Sequence, residues 1–418
     1  MDIDAEQIRA AVLVDGEPAS GERPAARILP SIVRRPGTAL LECTVRVEAR
    51  RDIRIQRLDP VVLDVDSAGC ELLQWSSGWG AEFEPVRGPL TGRRIVETTS
   101  GRSSHGRHPF VVVSGDRGVL AVAVAWSGNW RIAFEPTERG HRITAGAYPV
   151  DLELAAGESF ESPRVVLATG ADLNEIGVQF GRVGRAHWYP AGDPLPNEWN
   201  HWWTYEDSRI DARVFTDNAR RAGELGLGAA TLDAGWFGPS DQDSHWLDYR
   251  GDWDLVNSAR FPDGIPALAR DVRESGLRFG IWCEIEAVGA KARLRQEHPE
   301  FLATRGGRDL GYACFGNPAV RSWAEGILSR LAAEGAGWIK LDFNLDPGLG
   351  CDRTDHGHGA GDGLFAHYRG YYATLDRVRA AHPGLILENC SSGGLRIDLE
   401  MLRHTDATFL SDPDWPEH

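Results

Sequence analysis

Apolar and polar residues alternate in short runs through the first 185 positions, at 41–47, 61–65, 111–113, 120–125 and 165–168. Gly, Pro, Asp and Ser punctuate these runs, and no strong helical period interrupts them. A period of two sends successive side chains to opposite faces, so each run predicts a strand with one buried side. Many short strands at this spacing predict a β-sandwich over residues 1–185. Residues 186–198 include the stretch P-A-G-D-P-L-P and read as a linker.

From residue 199 the pattern becomes an alternation of strands and helices. Strands are predicted near 199–204, 229–237, 278–286, 338–342, 385–389 and 408–410. Asp211 caps a helix whose apolar face holds Phe215, Ala219, Ala222 and Leu225, with Gly226 as its stop. A second helix carries Ile265, Leu268 and Val272 and stops at Gly276. Asn317 and Pro318 are a cap and first-turn pair for a third, with Val320, Trp323, Ile327 and Leu331 on one stripe. A fourth is expected around 364–381 and a short one near 395–403. Strand–helix alternation predicts parallel strands with crossover helices. No glycine-rich phosphate turn follows the first of these strands, which favours a β/α barrel over a doubly wound sheet. Such a barrel needs eight strands and six are counted, so residues 199–418 read as a (β/α) barrel incomplete at its C-terminus.

Composition narrows the function classes. The chain has 418 residues, 42% of them hydrophobic and 25% charged, ordinary values for a soluble protein of two domains. A net charge of −16 argues against nucleic acid or an anionic membrane as a general partner. No secretory leader or apolar run of membrane-spanning length is seen, and a cytoplasmic location is expected. The six cysteines are scattered without a C-x-x-C pair, which suggests reduced thiols rather than a zinc ribbon or redox motif. The 15 tryptophans are an unusual excess; most are expected to fill the core, while indole faces also suit the C–H side of pyranose rings.

Polar residues gather at the C-terminal ends of the predicted parallel strands: Asp233, Glu284, Glu286, Asp342, Glu388, Asn389 and Asp412. β/α barrels keep their chemistry at that rim. Hydrolysis of a glycosidic bond with retention needs two carboxyl groups about 5–5.5 Å apart, and two strand ends supply such a pair. Asp342 closes the buried run W-I-K-L-D. Lys340 shares its face of the strand, so it either holds Asp342 ionised or forms a structural ion pair. Asp412 follows F-L-S at another strand end. Gly393 and Gly394, after E-N-C-S-S, permit a close backbone approach or simply a tight turn. Glu284 and Glu286, either side of Ile285, are a rival acid pair. The stretch C-D-R-T-D-H-G-H-G-A-G-D-G at 351–363 offers Cys351, Asp355, His356 and His358 as metal donors. Its glycines and the lack of a helical i, i+4 His pair make it read instead as a flexible active-site loop, with no metal.

These motifs, taken in order, resemble glycoside hydrolase family 36, the α-galactosidase (melibiase) group, over most of the chain. H-P-F at 108–110, S-G-N-W at 127–130 and G-E-S-F-E-S-P at 157–163 resemble that family's N-terminal supersandwich. L-D-A-G-W-F-G at 232–238, G-D-W at 251–253, F-P-D-G at 261–264, F-G-I-W-C-E-I-E at 279–286, K-L-D at 340–342, and E-N-C-S-S-G-G followed by L-S-D resemble its barrel. The resemblance implies a retaining hydrolase that removes a terminal α-linked galactose-like residue from an oligosaccharide or glycoside without a cofactor. It implies Asp342 as nucleophile, Asp412 as acid/base, and Asp233, Trp199, Trp282, Arg308, Lys340, Cys390 and Gly393 as substrate-contacting positions. Trp203 fits nearly as well as Trp199. The family also suggests a homo-oligomer. One departure stands out: Ala234 occupies the second position of the family's D-D-G-W. Another sugar (α-N-acetylgalactosamine or a pentopyranose), transfer to an acceptor sugar, or carbohydrate binding without catalysis are the alternatives.

Overall fold

The computed structural model describes residues 3–192 and 194–413. Position 193 of the expected linker and residues 414–418 of the expected barrel segment lie outside the described residues.

The first part is a sandwich of two mostly antiparallel sheets. One is built around the 13-residue strand Ile53–Val65, the other around Leu40–Ala49, Gly106–Gly115, Gly118–Ala125 and Arg164–Gly170. All five alternating runs therefore form strands. Their inward residues, such as Val45, Ile55, Val61, Val111, Val122 and Val165, are fully buried in one apolar core. The sequence pattern did not predict the helix Leu173–Val183. Asp172 caps it by accepting a hydrogen bond from the Glu175 N–H at 2.9 Å. Ile176, Gln179 and Val183 then cover the outer face of the sheet. Trp188 packs there too and donates its indole N–H to Glu42 at 2.6 Å, so the expected linker begins as docked chain.

The second part holds a parallel sheet of six strands: Glu198–Asn200, Ala229–Leu232, Arg278–Cys283, Trp338–Leu341, Ile386–Asn389 and Ala407–Thr408. Every residue of Ala229–Leu232, Trp338–Leu341 and Ile386–Asn389 is buried. That is the signature of parallel strands covered on both faces. Helices Ala212–Glu224, Gly264–Glu274, Pro318–Ala333 and Gly363–Ala381 are the crossovers. Asp211 caps the first, accepting from the Val214 N–H at 2.7 Å, and Phe215, Ala219 and Ala222 bury its apolar stripe. Leu225 does not join them. It sits at the helix C-cap, where the chain turns toward Gly226, and is 80% exposed.

The strands are shorter at their C-terminal ends than the apolar runs suggest. The second ends at Leu232 rather than 237, the third at Cys283 rather than 286, and the fourth at Leu341 rather than 342. Asp233, Glu284 and Asp342 thus leave the ladder and face the rim.

Candidate active site

Asp342 is the first residue beyond its strand and is 6% exposed. Its carboxylate accepts four hydrogen bonds. Oδ1 takes the backbone N–H groups of Phe343 (2.8 Å) and Ser392 (3.0 Å). Oδ2 takes Trp282 Nε1 (3.2 Å) and Asn344 Nδ2 (3.0 Å). Four N–H donors make this a fixed cradle for the carboxylate.

Asp412 reaches the same site with a different environment. Trp79 Nε1 donates to its Oδ2 at 3.1 Å, Cys390 Sγ lies 4.0 Å from its Oδ1, and Trp203 Nε1 donates to its backbone carbonyl. Burial, reinforced by repulsion from Asp342, raises its pKa. Attraction to Lys340 and the Trp79 hydrogen bond pull it down, and the carboxyl is left at about 6. The two carboxyls therefore feel each other's charge, and their surroundings differ in kind: one fully donated to, the other desolvated. Such a division is how one site provides an anion and an acid together.

Beneath them, Lys340 donates to Asp233 Oδ2 at 3.0 Å and lies over the Phe409 ring, 4.0 Å from its centroid. Of the two readings of Lys340, its direct bond is thus to Asp233 rather than to Asp342. Burial disfavours the ammonium, but Asp233 first, then Cys390, Asp342 and Asp412, outweigh it and hold Lys340 charged well above the ordinary lysine range. Burial likewise opposes the Asp233 anion, and Lys340, His201 and Asn200 overcome it, so its pKa is lowered. Asn200 Nδ2 donates to Asp233 Oδ2 at 2.7 Å. Ala234, 1% exposed, adds only its N–H, to Asp233 Oδ1 at 2.8 Å.

Trp282 is placed at the site, although 1% exposed and enclosed by Phe237, Trp246 and Trp253. It orients Asp342 through its N–H and is not an open wall for a sugar. Cys390 is fully buried, between Leu341, whose carbonyl accepts its N–H, and Asp412. Gly393 has φ +74°, and a Cβ there would fall 2.5 Å from the Asp412 backbone nitrogen and 2.9 Å from Glu82 Oε1. The close approach it permits is that of the Asp412 loop itself.

Two of the expected contacts are not brought in. Trp199 lies in a strand whose alternate residues, Asn200 and Glu198, face inward, toward Asp233 and Glu388. Strand alternation sends the Trp199 ring outward onto Phe215, at 5.5 Å between centroids. Trp203, four residues on and past the strand end, is the one that meets the Asp412 loop. Arg308 opens the second strand of the hairpin Leu302–Arg305/Arg308–Ala313 and follows the turn glycines Gly306 and Gly307, with φ of 56° and 75°. That places it exposed at a hairpin tip, with no side-chain hydrogen bond or ion pair among the described residues. The rival acids are also placed. Glu286 is clamped by Arg396 (2.9 and 2.7 Å) and His367 (2.9 Å), all fully buried. Glu284 is held by Arg250 (3.0 Å) and Asn344.

The sequence reading missed Trp79. It stands at the tip of the sandwich hairpin Glu71–Gly78/Ala81–Pro89. An exposed indole between turn residues, in W-S-S-G-W-G, is the signal that marks it. Neighbouring Glu82 accepts from Ser411 Oγ at 2.9 Å. The sandwich also grips the rim from below. Arg102 donates to Asp346, the Phe343 carbonyl, Ser391 and Ser392 at 2.8–3.2 Å. The S-G-N-W motif is accounted for in the same way. Ser127 accepts from the Tyr372 hydroxyl, Asn129 bridges Gly101 and Gly348, and Trp130 donates to the Ser103 carbonyl.

The glycosyl hydrolase family 36 N-terminal domain matches residues 31–155, and the melibiase family matches residues 159–416, more than half of the chain. The chain belongs to the melibiase family. Among its relatives, α-galactosidase AgaA of Geobacillus stearothermophilus is 29% identical over 401 residues, covering 88% of this chain and 53% of the relative. An α-galactosidase of Escherichia coli is 29% identical over 373 residues, covering 84% and 51%. The crystal structure of AgaA superposes with a TM-score of 0.85 at 25% identity, over 93% of this chain and 56% of that one. This melibiase-family chain thus spans about half the length of the curated relatives it matches, and its six-stranded sheet corresponds to part of a (β/α)8 barrel. Among the described residues no helix is long and apolar enough to cross a membrane.

Proposed function

We propose that this chain carries the catalytic centre of a retaining α-galactoside hydrolase. The observation that bears most weight is the contrast between its two carboxyls. Asp342 is presented as an anion by four donors, whereas Asp412 is raised to about 6 beside it. Asp342 attacks the anomeric carbon, and the bond to the departing oxygen breaks as Asp412 gives that oxygen its proton. A covalent glycosyl–Asp342 ester results. Asp412, now a carboxylate, takes a proton from water, whose oxygen displaces Asp342 with a second inversion. Asp233, held ionised by Lys340 and Asn200, is the acceptor for sugar hydroxyls. The substrate class follows the relatives, among them the α-galactosidases of Geobacillus stearothermophilus and Escherichia coli, each 29% identical to this chain. All six cysteines are buried and none is in a disulfide, which supports a cytoplasmic setting.

The test is a pair of variants assayed on aryl α-galactosides in the full-length protein. Asp342→Asn should reduce kcat at least about a thousand-fold whatever the leaving group. Asp412→Asn should cost about a hundred-fold or more on poor leaving groups, and far less on a dinitrophenyl leaving group that needs no proton. Equal losses for the two variants across leaving groups would contradict the assignment. Because Ala234 supplies no carboxylate beside Asp233, the panel should include α-N-acetylgalactosaminides and a pentopyranoside. Faster turnover of either would move the substrate class without disturbing the mechanism.

A further inference from the structure

A second cluster of reactive side chains includes none of the site's carboxyls. Cys314 follows the buried end of the hairpin strand Arg308–Ala313, while Cys351, His356 and His358 lie in the loop between the strand of Asp342 and the helix Gly363–Ala381. All four are buried, and one ligand atom of each lies within 4.8 Å of every other. We propose that these four residues bind one zinc ion as a closed tetrahedral site that clips the loop after Asp342 to the hairpin.

The spacing fits a metal of this size. Tetrahedral zinc with Zn–S near 2.3 Å and Zn–N near 2.0–2.1 Å sets sulfur and nitrogen ligands about 3.6 Å apart. Cys314 Sγ is 3.4 Å from His358 Nε2, and Cys351 Sγ is 3.6 Å from His356 Nδ1. The second ring nitrogen of each histidine is committed elsewhere. His356 Nε2 lies 2.7 Å from the Glu300 carbonyl, and His358 Nδ1 lies 2.7 Å from the Gly359 carbonyl. A carbonyl only accepts, so those nitrogens carry the protons, and the lone pairs of His356 Nδ1 and His358 Nε2 point into the cluster. This backbone-fixed tautomer is the usual outer support of a zinc-bound histidine. The Arg353 N–H, 3.4 Å from Cys351 Sγ, supplies the donor that a thiolate ligand accepts.

Charge and space agree. Binding releases two thiol protons, and two thiolates with two neutral imidazoles cancel the dication, as a buried site requires. Asp355, the remaining donor of the stretch, turns outward to Arg353 at 2.6 Å and is not needed. Asp362 lies 4.0 Å from His358 Nδ1, behind the ring and off the cluster. Two glycines make room for His358. A Cβ at Gly316 would lie 2.5 Å from its Cδ2, and one at Gly363 would lie 2.9 Å from its Cε1 and 1.9 Å from the Cys351 carbonyl. The site is a closed structural one, with four protein ligands and no position for substrate.

The measurement is metal content of the full chain, purified without added metal and again after zinc reconstitution and gel filtration. Expected is about one zinc per chain, falling below about a tenth in Cys351→Ser and in His358→Ala, and unchanged in Asp355→Asn. Cobalt reconstitution of the unaltered protein should give the intense visible bands of a tetrahedral ion with thiolate charge transfer, which keeps the idea testable if a variant does not fold. Reconstituted protein that retains no stoichiometric zinc would overturn the proposal. So would a Cys314–Cys351 disulfide in freshly purified protein, or a cobalt spectrum of six-coordinate form.

Discussion

The sandwich and the parallel sheet contribute to the rim in opposite ways. The sheet supplies the charged groups, Asp233, Lys340, Asp342 and Asp412, each at or just beyond a strand end. The sandwich supplies almost no charge to the reacting centre but much of what holds it. Arg102 grips Phe343 and Asp346, just after Asp342, together with Ser391 and Ser392, and Trp79 holds Asp412. One element carries chemistry because parallel strands aim their C-terminal ends at a common rim. The other positions it through the hairpin tip of Trp79 and the connection between its two sheets that carries Arg102.

The sharpest way to break this division is to remove the sandwich's grip without touching the sheet. Arg102→Met removes the charged partner of Asp346 and one donor each from Ser391, Ser392 and the Phe343 carbonyl, which keeps its bond from Ser391 Oγ. It should cost about 2–3 kcal/mol of stability, read as a lowered denaturation midpoint. An unchanged midpoint would mean that the sandwich merely abuts the rim. A smaller effect is expected from Trp79→Phe. The Trp79 hydrogen bond favours the ionised form of Asp412, so its loss should move the alkaline limb of kcat/KM upward from near pH 6. The shift should be under about one pH unit, and a downward shift would reverse the role given to Trp79. Smallest is Arg308→Ala. An exposed residue without partners should change stability by less than about 0.5 kcal/mol. A large rise in KM would instead bring the hairpin tip into the substrate site.

Much of this was legible in the chain. Alternation at 41–47 or 120–125 reads as a strand, although the helix Leu173–Val183 buries the second face of 120–125 as well, and Asp211 or Asn317 before an apolar stripe starts a helix. The rim carboxyls were legible because strand-end polar residues stand out against fully apolar strands. The failures have physical causes as well. An apolar run does not show where a ladder stops, so the strands were drawn too long, through Asp233 and Asp342. Trp199 and Trp203 differ by an even number of residues, and only the strand end between them separates an outward ring from one at the site. The helix Leu173–Val183 escaped because its apolar stripe is thin: Ile176, Gln179 and Val183. The loop at 351–363 read as flexible because its glycines suggest freedom. In the fold, Gly363 instead serves the close packing of His358, and the partner Cys314 comes from a hairpin that spacing along the chain does not reveal.

The indole that tunes Asp412 stands 333 positions before it in the chain. A working pH is therefore not a property that the barrel segment owns alone. Exchanging the sandwich for a relative's would transplant part of the proton-transfer behaviour along with it. Hairpin tip and aspartate loop should accordingly be inherited, or engineered, as a matched pair.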